Sequence, residues 1–258
     1  VRTDGPDGRV QDFEITETFG VDPLQQYLVA LPGGRKQALP WAWDGRPAAE
    51  GGQRWFHLHP EEALRPDDPL HWTNVAGSWN HQCAECHSTQ VRKGWDPASA
   101  TYATTFAEED VGCEACHGPG SAHVAWAGRQ GDVPGGGSGD PTKGLVFRIG
   151  AADGATWVRG QGEAIAHRSV KRTSAAEIET CARCHSRRSV LSEDYVHGRP
   201  ILDTHRVALL DEGLYFADGQ IQDEVFEYGS FLQSRMFAAG VTCSDCHDPH
   251  GGKVRAPG

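Results

Sequence analysis

Methionine is almost absent from this 258-residue chain, with Met236 the sole example. A thioether therefore cannot be a general metal ligand here, and Met236, on an apolar helical stretch, reads as core. Long apolar runs are missing as well: nothing approaches the roughly 18 residues that cross a bilayer as a helix, which excludes a membrane span in this stretch. Positive charge is in deficit, since 24 Lys and Arg face 35 Asp and Glu for a formal net charge of −11. That balance argues against nucleic acid and anionic membranes as partners and favours a basic redox protein or a metal-rich surface. Apolar residues make up only 38%, little for a core of side chains alone, while 32 Gly and 15 Pro interrupt regular structure. Something other than Leu and Ile is expected to fill the interior.

No cysteine is left over from one repeated pattern, and that pattern names the filler. All eight cysteines fall in Cys83-Ala-Glu-Cys86-His87, Cys113-Glu-Ala-Cys116-His117, Cys181-Ala-Arg-Cys184-His185 and Cys243-Ser-Asp-Cys246-His247. Cys-x-x-Cys-His is the attachment signature of c-type haem: the two thiols add across the porphyrin vinyl groups and the adjacent imidazole becomes the proximal iron ligand. A zinc ribbon pairs Cys-x-x-Cys without needing a histidine after each second cysteine. A thioredoxin-type redox pair would occur once, in a βαβ context. Four Cys-x-x-Cys disulfides would close short, strained loops and leave the histidines without a reason. Four covalently bound haems, each with one iron, follow, and they supply the apolar surface that the composition lacks.

The expected fold class is mostly irregular, with short helices around a tetrahaem core and a small N-terminal antiparallel β-sheet. Residues 1–70 carry no haem motif and form a β-rich segment expected to pack on the haem array; residues 71–258 form the tetrahaem region. Within the first segment, Val10–Phe19 and Arg54–His59 read as strands, and Gln26–Leu31 pairs with Lys36–Trp41 across the Pro32-Gly33-Gly34-Arg35 turn. Pro60–Leu64 reads as a helical turn. Thr173–Thr180 has capping and helix-forming residues just before the third motif, and Glu224–Phe237 reads as one helix with an apolar face. Gly131–Asp140 is a flexible loop by composition. Haem c is attached outside the cytoplasm, so a periplasmic or extracellular location is expected; Val1, in mid-strand, and the tail Gly251–Gly258 read as the cut ends of a longer exported protein.

Three blocks carry a resemblance: Asp110–His123 around the second motif, Gly213–Glu224, and Cys243–His250. Together they resemble a family of exported multihaem cytochromes c, linked in many members to tetratricopeptide repeats. The haem region is similar to the tetrahaem cytochrome of ammonia-oxidising bacteria. Electron transfer is what this resemblance implies.

Nine histidines lie outside the motifs, more than four irons need as distal ligands. His123 leads, because Gly118-Pro-Gly120 turns the chain sharply after the second motif and histidines at this place in the similar cytochromes ligate a neighbouring haem. His250 follows Cys-His-Asp-Pro in the same manner. His197 and His205 flank the turn after the third motif, and His71 precedes the first; His57 comes next. Arg92, Arg187, Arg188 and Arg199 are candidate propionate partners. Three functions fit: an electron carrier with irons ligated mainly by two histidines, a multihaem oxidoreductase of the nitrite, hydroxylamine or tetrathionate type with one open iron, or a protomer stacking into a conducting filament. The carrier is favoured, since no substrate constellation accompanies any motif; its partners are redox proteins or neighbouring copies of itself.

Overall fold

Gly33 and Gly34 both adopt left-handed backbone (φ +78° and +72°), the conformation that glycine alone takes without strain, and the turn they make joins the two longest strands. The computed structural model describes residues 1–131, 140–150 and 154–255, which form two compact units, Val1–Val111 and Gly112–Gly258. Both are irregular, built from short helices and small antiparallel sheets.

The first unit opens on a hairpin of β1 (Arg2–Asp4) and β2 (Val10–Asp12), followed by a four-stranded antiparallel sheet in the order β3 (Glu17–Phe19), β4 (Leu24–Leu31), β5 (Arg35–Asp44) and β6 (Arg54–His57). Neighbouring residues of β4 point to opposite faces, and both faces are covered. Leu28 packs with Trp79 and Ala84, whereas Val29 packs with Leu39 and Trp72. The expected strand Val10–Phe19 is broken between β2 and β3, where Phe13 turns in to meet the edge of Trp72 at 5.0 Å. Pro60–Leu64 is a turn rather than a helix, closed by the Glu62 N–H on the His59 carbonyl.

The first Cys-x-x-Cys-His motif belongs to this strand-rich unit, so the compact division falls after Val111, well beyond the expected boundary at residue 70. Asn80 explains the attachment. Its Oδ1 accepts the Lys36 N–H at 2.7 Å and its amide donates to Gly34 O and Thr104 Oγ1, while Gln37 Nε2 donates to the carbonyls of Trp72 and Asn74. These buried side chains satisfy backbone groups that would otherwise be left unpaired. A five-residue π-turn, Trp79–Cys83, leads into α1 (Ala84–His87), and a small hairpin of β7 (Trp95–Asp96) and β8 (Thr101–Tyr102) hydrogen-bonds Gly33 through Tyr102 N–H.

The second unit is a string of short elements: α2 (Cys113–His117), α3 (Ser121–Gly131), the β9 (Trp157–Val158) and β10 (His167–Arg168) pair, α4 (Ala176–Ala182), the β11 (Arg188–Val190) and β12 (His205–Val207) pair, α5 (Glu227–Leu232), α6 (Arg235–Ala238), α7 (Cys243–Cys246) and the β13 (His247–Asp248) and β14 (Lys253–Val254) hairpin. Its core gathers Ile178, Ala182, Ile201 and Tyr228, with Phe231, Phe237 and Cys243 against them. The helix expected over Glu224–Phe237 is two helices. Phe226 takes positive φ (+60°), delaying the start, and Ser234 Oγ accepts the Phe237 N–H, starting a fresh helix that leaves Met236 exposed rather than in the core. The helix before the third motif forms as expected, with Ser174 Oγ accepting the Ala176 N–H. Most of the expected loop Gly131–Asp140, and the last three residues of the tail, lie outside the described residues.

Candidate haem sites

The first motif sits beside a cavity of about 350 Å³ lined by Thr16, Glu17, Thr18, Phe19, Leu28, Trp79, His87, Ser88, Phe106 and Glu109. Cys83 packs in the cluster of Leu28, Trp79 and Ala84, and burial pushes its thiol up to about 11. Cys86 lies on α1, and His87 ends that helix with the edge of Phe19 5.5 Å from its ring. Desolvation by these walls lowers the His87 pKa, favouring the neutral imidazole that metal ligation needs. Trp79 is nine-tenths buried or more, and its Nε1–H has no acceptor among the described residues. A buried donor without a partner is costly, and an acceptor on a bound group would relieve it.

In the second unit the other three motifs interlock. Arg183, inside the third motif, donates to the Ala115 carbonyl inside the second at 3.1 Å. Glu177 on α4 is buried and reaches the fourth motif: its carboxylate accepts from Ser244 N at 2.7 Å and Ser244 Oγ at 3.0 Å, and also from Gly150 N. The Cys181 and Cys243 thiols share a hydrogen bond, which with burial raises the first and, by stabilising its thiolate, lowers the second. Thr242 and Asp245 form a reciprocal cap on α7, holding two otherwise orphaned backbone donors. Glu179 carries the same logic outward, taking the Tyr228 hydroxyl and the Ile201 N–H. Cys113 and Cys116 lie on α2, Cys184 follows α4, and Cys246 ends α7; none of the eight is in a disulfide.

Of the proximal histidines, His117 ends α2 with Nδ1 3.2 Å from the Phe147 carbonyl, a contact that fixes the proton on Nδ1 and leaves the Nε2 lone pair for a metal. His185 follows Cys184, with its carbonyl accepting the Tyr228 N–H, and His247 opens β13. Among the distal candidates, His123 on α3 is held likewise, Nδ1 2.7 Å from the Lys143 carbonyl and its ring stacked on Trp126 at 5.6 Å. His250 lies with its ring centre 6.1 Å from that of His117 and the two planes 15° apart. His197 turns Nε2 to the Ala115 carbonyl at 3.0 Å, and burial lowers its pKa. His205 is buried on β12, with Nδ1 2.8 Å from Thr204 Oγ1. His71 is buried with Nδ1 on Thr73 Oγ1 and Nε2 on Asp4 Oδ2, so both ring nitrogens have partners within the fold. His57 is spent locally, accepting the His59 N–H.

Sequence reasoning missed Trp79, Asn80, Glu177 and Glu179. Only Glu177 and Glu179 carried a signal, two carboxylates one turn ahead of the third motif. Among the proposed propionate partners, Arg187 lies 3.6 Å from Asp223 and Arg199 3.4 Å from Asp203.

Residues 57–118 match the family model of cytochrome c554 and c-prime. The matched stretch contains the first two motifs whole. It supports a cytochrome c relationship, with c-type haem and iron as the cofactor and haem-based electron transfer as the activity. No curated protein and no solved structure matches the chain. No helix among the described residues is long and apolar enough to cross a membrane. The side chains present fit the cofactor: paired cysteines outside any disulfide, a cavity that combines Phe19, Leu28, Trp79 and Phe106 with polar side chains, an indole donor without an acceptor beside His87, and a His117 tautomer set for ligation.

Proposed function

We propose that the chain carries electrons through four c-type haems, most of them ligated by histidine on both sides, in the periplasm or outside the cell. The observation that supports this most is the placement of the cysteines: four pairs, none in a disulfide, each on or beside a short helix and each followed by a histidine. When attached, a haem supplies an iron that accepts and returns a single electron. The residues around it do the rest. Phe147 and Lys143 carbonyls orient His117 and His123, and Glu177 and Arg183 keep the second, third and fourth motifs in fixed register, so that little rearrangement accompanies a change of charge. His123, His250, His197 and His205 are the proposed distal set. Partners on this reading are basic redox proteins or further copies of the chain, including end-to-end filaments.

Intact-mass measurement of the matured protein should show four haem additions, and electron paramagnetic resonance of the oxidised form should show mainly low-spin iron. Fewer additions would count against the cofactor number. A dominant high-spin signal would instead favour a multihaem oxidoreductase with an open iron.

A further inference from the structure

The hairpin of β13 and β14 is short, pairing His247 with Val254 and Asp248 with Lys253, and it carries His250 at its tip. Asp248 stiffens that tip: its Oδ1 accepts the His250 N–H at 3.2 Å and its carbonyl accepts the Gly251 N–H. Arg255 closes the base, its N–H on the Cys246 carbonyl at 2.8 Å and its Nε on the His247 carbonyl at 3.1 Å. The result is an imidazole presented to the second motif from the loop after the fourth.

The spacing of the two rings is informative. The ring centres of His117 and His250 are 6.1 Å apart with planes 15° from parallel, a separation at the wide end of offset stacking. A first-row metal ion held at about 2 Å from a nitrogen of each of two imidazoles on its opposite sides sets the ring centres about 6 Å apart. His117 already has Nδ1 committed to the Phe147 carbonyl. Neither ring nitrogen of His250 has a hydrogen-bond partner among the described residues. His197, the other histidine against the second motif, gives its Nε2 to Ala115.

We infer that His250 is the distal ligand of the iron whose proximal ligand is His117, so that one loop serves two haems: His247 binds the iron of the fourth and His250 closes the iron of the second. This rests on the proposal that the second motif bears haem. His123, six residues past His117, is thereby left for another iron.

The test is His250→Ala in the full matured chain. Four haem additions should remain by mass, because attachment depends on the thiols, while about one haem in four turns high-spin and binds carbon monoxide on reduction. Added imidazole should restore the low-spin spectrum, a rescue that a purely structural loss would not show. His250→Met should keep that iron six-coordinate and raise the potential of one haem. In a chain carrying Cys113→Ala and Cys116→Ala, which lacks the second haem, adding His250→Ala should leave the remaining irons low-spin. If a high-spin haem appears there, His250 serves a different iron and the pairing is overturned. If His250→Ala with four haems stays wholly low-spin, His250 is no ligand at all. A peptide containing Cys113 and Cys116 without haem would overturn both this pairing and the cofactor reading beneath it.

Discussion

Asp44 ends β5 with both carboxylate oxygens on Arg46, Oδ1 at 3.0 Å from Nε and Oδ2 at 2.7 Å from Nη2. That bidentate hydrogen bond holds its carboxyl at about 2, below the ordinary 3.8. A carboxyl whose folded pKa is depressed stabilises the fold fully above its unfolded pKa and loses that contribution as pH falls through the folded value. Asp44→Asn should therefore be less stable than the native chain by a constant margin above about pH 4, and the margin should close as pH falls toward 2. Chemical denaturation midpoints of both proteins between pH 2 and 6 measure this, and a margin independent of pH would refute it. At this scale the motif residues were legible because covalent attachment fixes their spacing whatever the fold. Glu177 was not, since its acceptor role depends on Ser244, 67 residues away, brought near only by folding. The contacts of His71 were illegible for the same reason: its partner Asp4 is also 67 residues distant.

Among the elements, the β4–β5 hairpin was the most legible, because Pro-Gly-Gly-Arg between two apolar runs leaves little choice of turn. Gly34 is its most demanding position. It has positive φ, an added Cβ would collide with the Tyr102 carbonyl, and its own carbonyl receives the Asn80 amide. Gly34→Ala should cost at least the roughly 1 kcal/mol of a left-handed non-glycine residue, and more because backbone must shift. The first unit should melt earlier while mass still shows four haems; an unchanged melting curve would mean that the hairpin yields easily. Gly33→Ala meets nothing closer than 3.4 Å and should be the milder variant of the two. The paired helices α5 and α6 were illegible as two, because the apolar spacing of Tyr228, Phe231, Leu232 and Phe237 runs on through the break. Only the side-chain bond at Ser234 marks it, and apolar period does not report hydrogen bonds made by the intervening polar residues.

For the molecule as a whole, the charge of −11 governs encounter more than fold. Reduction by a small basic cytochrome should slow by about tenfold or more between low and physiological ionic strength, since the Debye length shrinks toward about 8 Å. Stopped-flow rates across a salt series decide this, and a flat series would point to an apolar docking face. The irregular fold class was legible from the glycine, proline and apolar content. The division after Val111 was not, because a domain boundary follows packing, and the first motif packs through Asn80 and Trp79 on strands that carry no motif of their own. The clamp from Glu177 to Ser244 also sets a timetable. The chain is made from its N-terminus, so the second unit cannot complete its packing until the last motif arrives. Until then the thiols of the second and third motifs stand on unfinished scaffold.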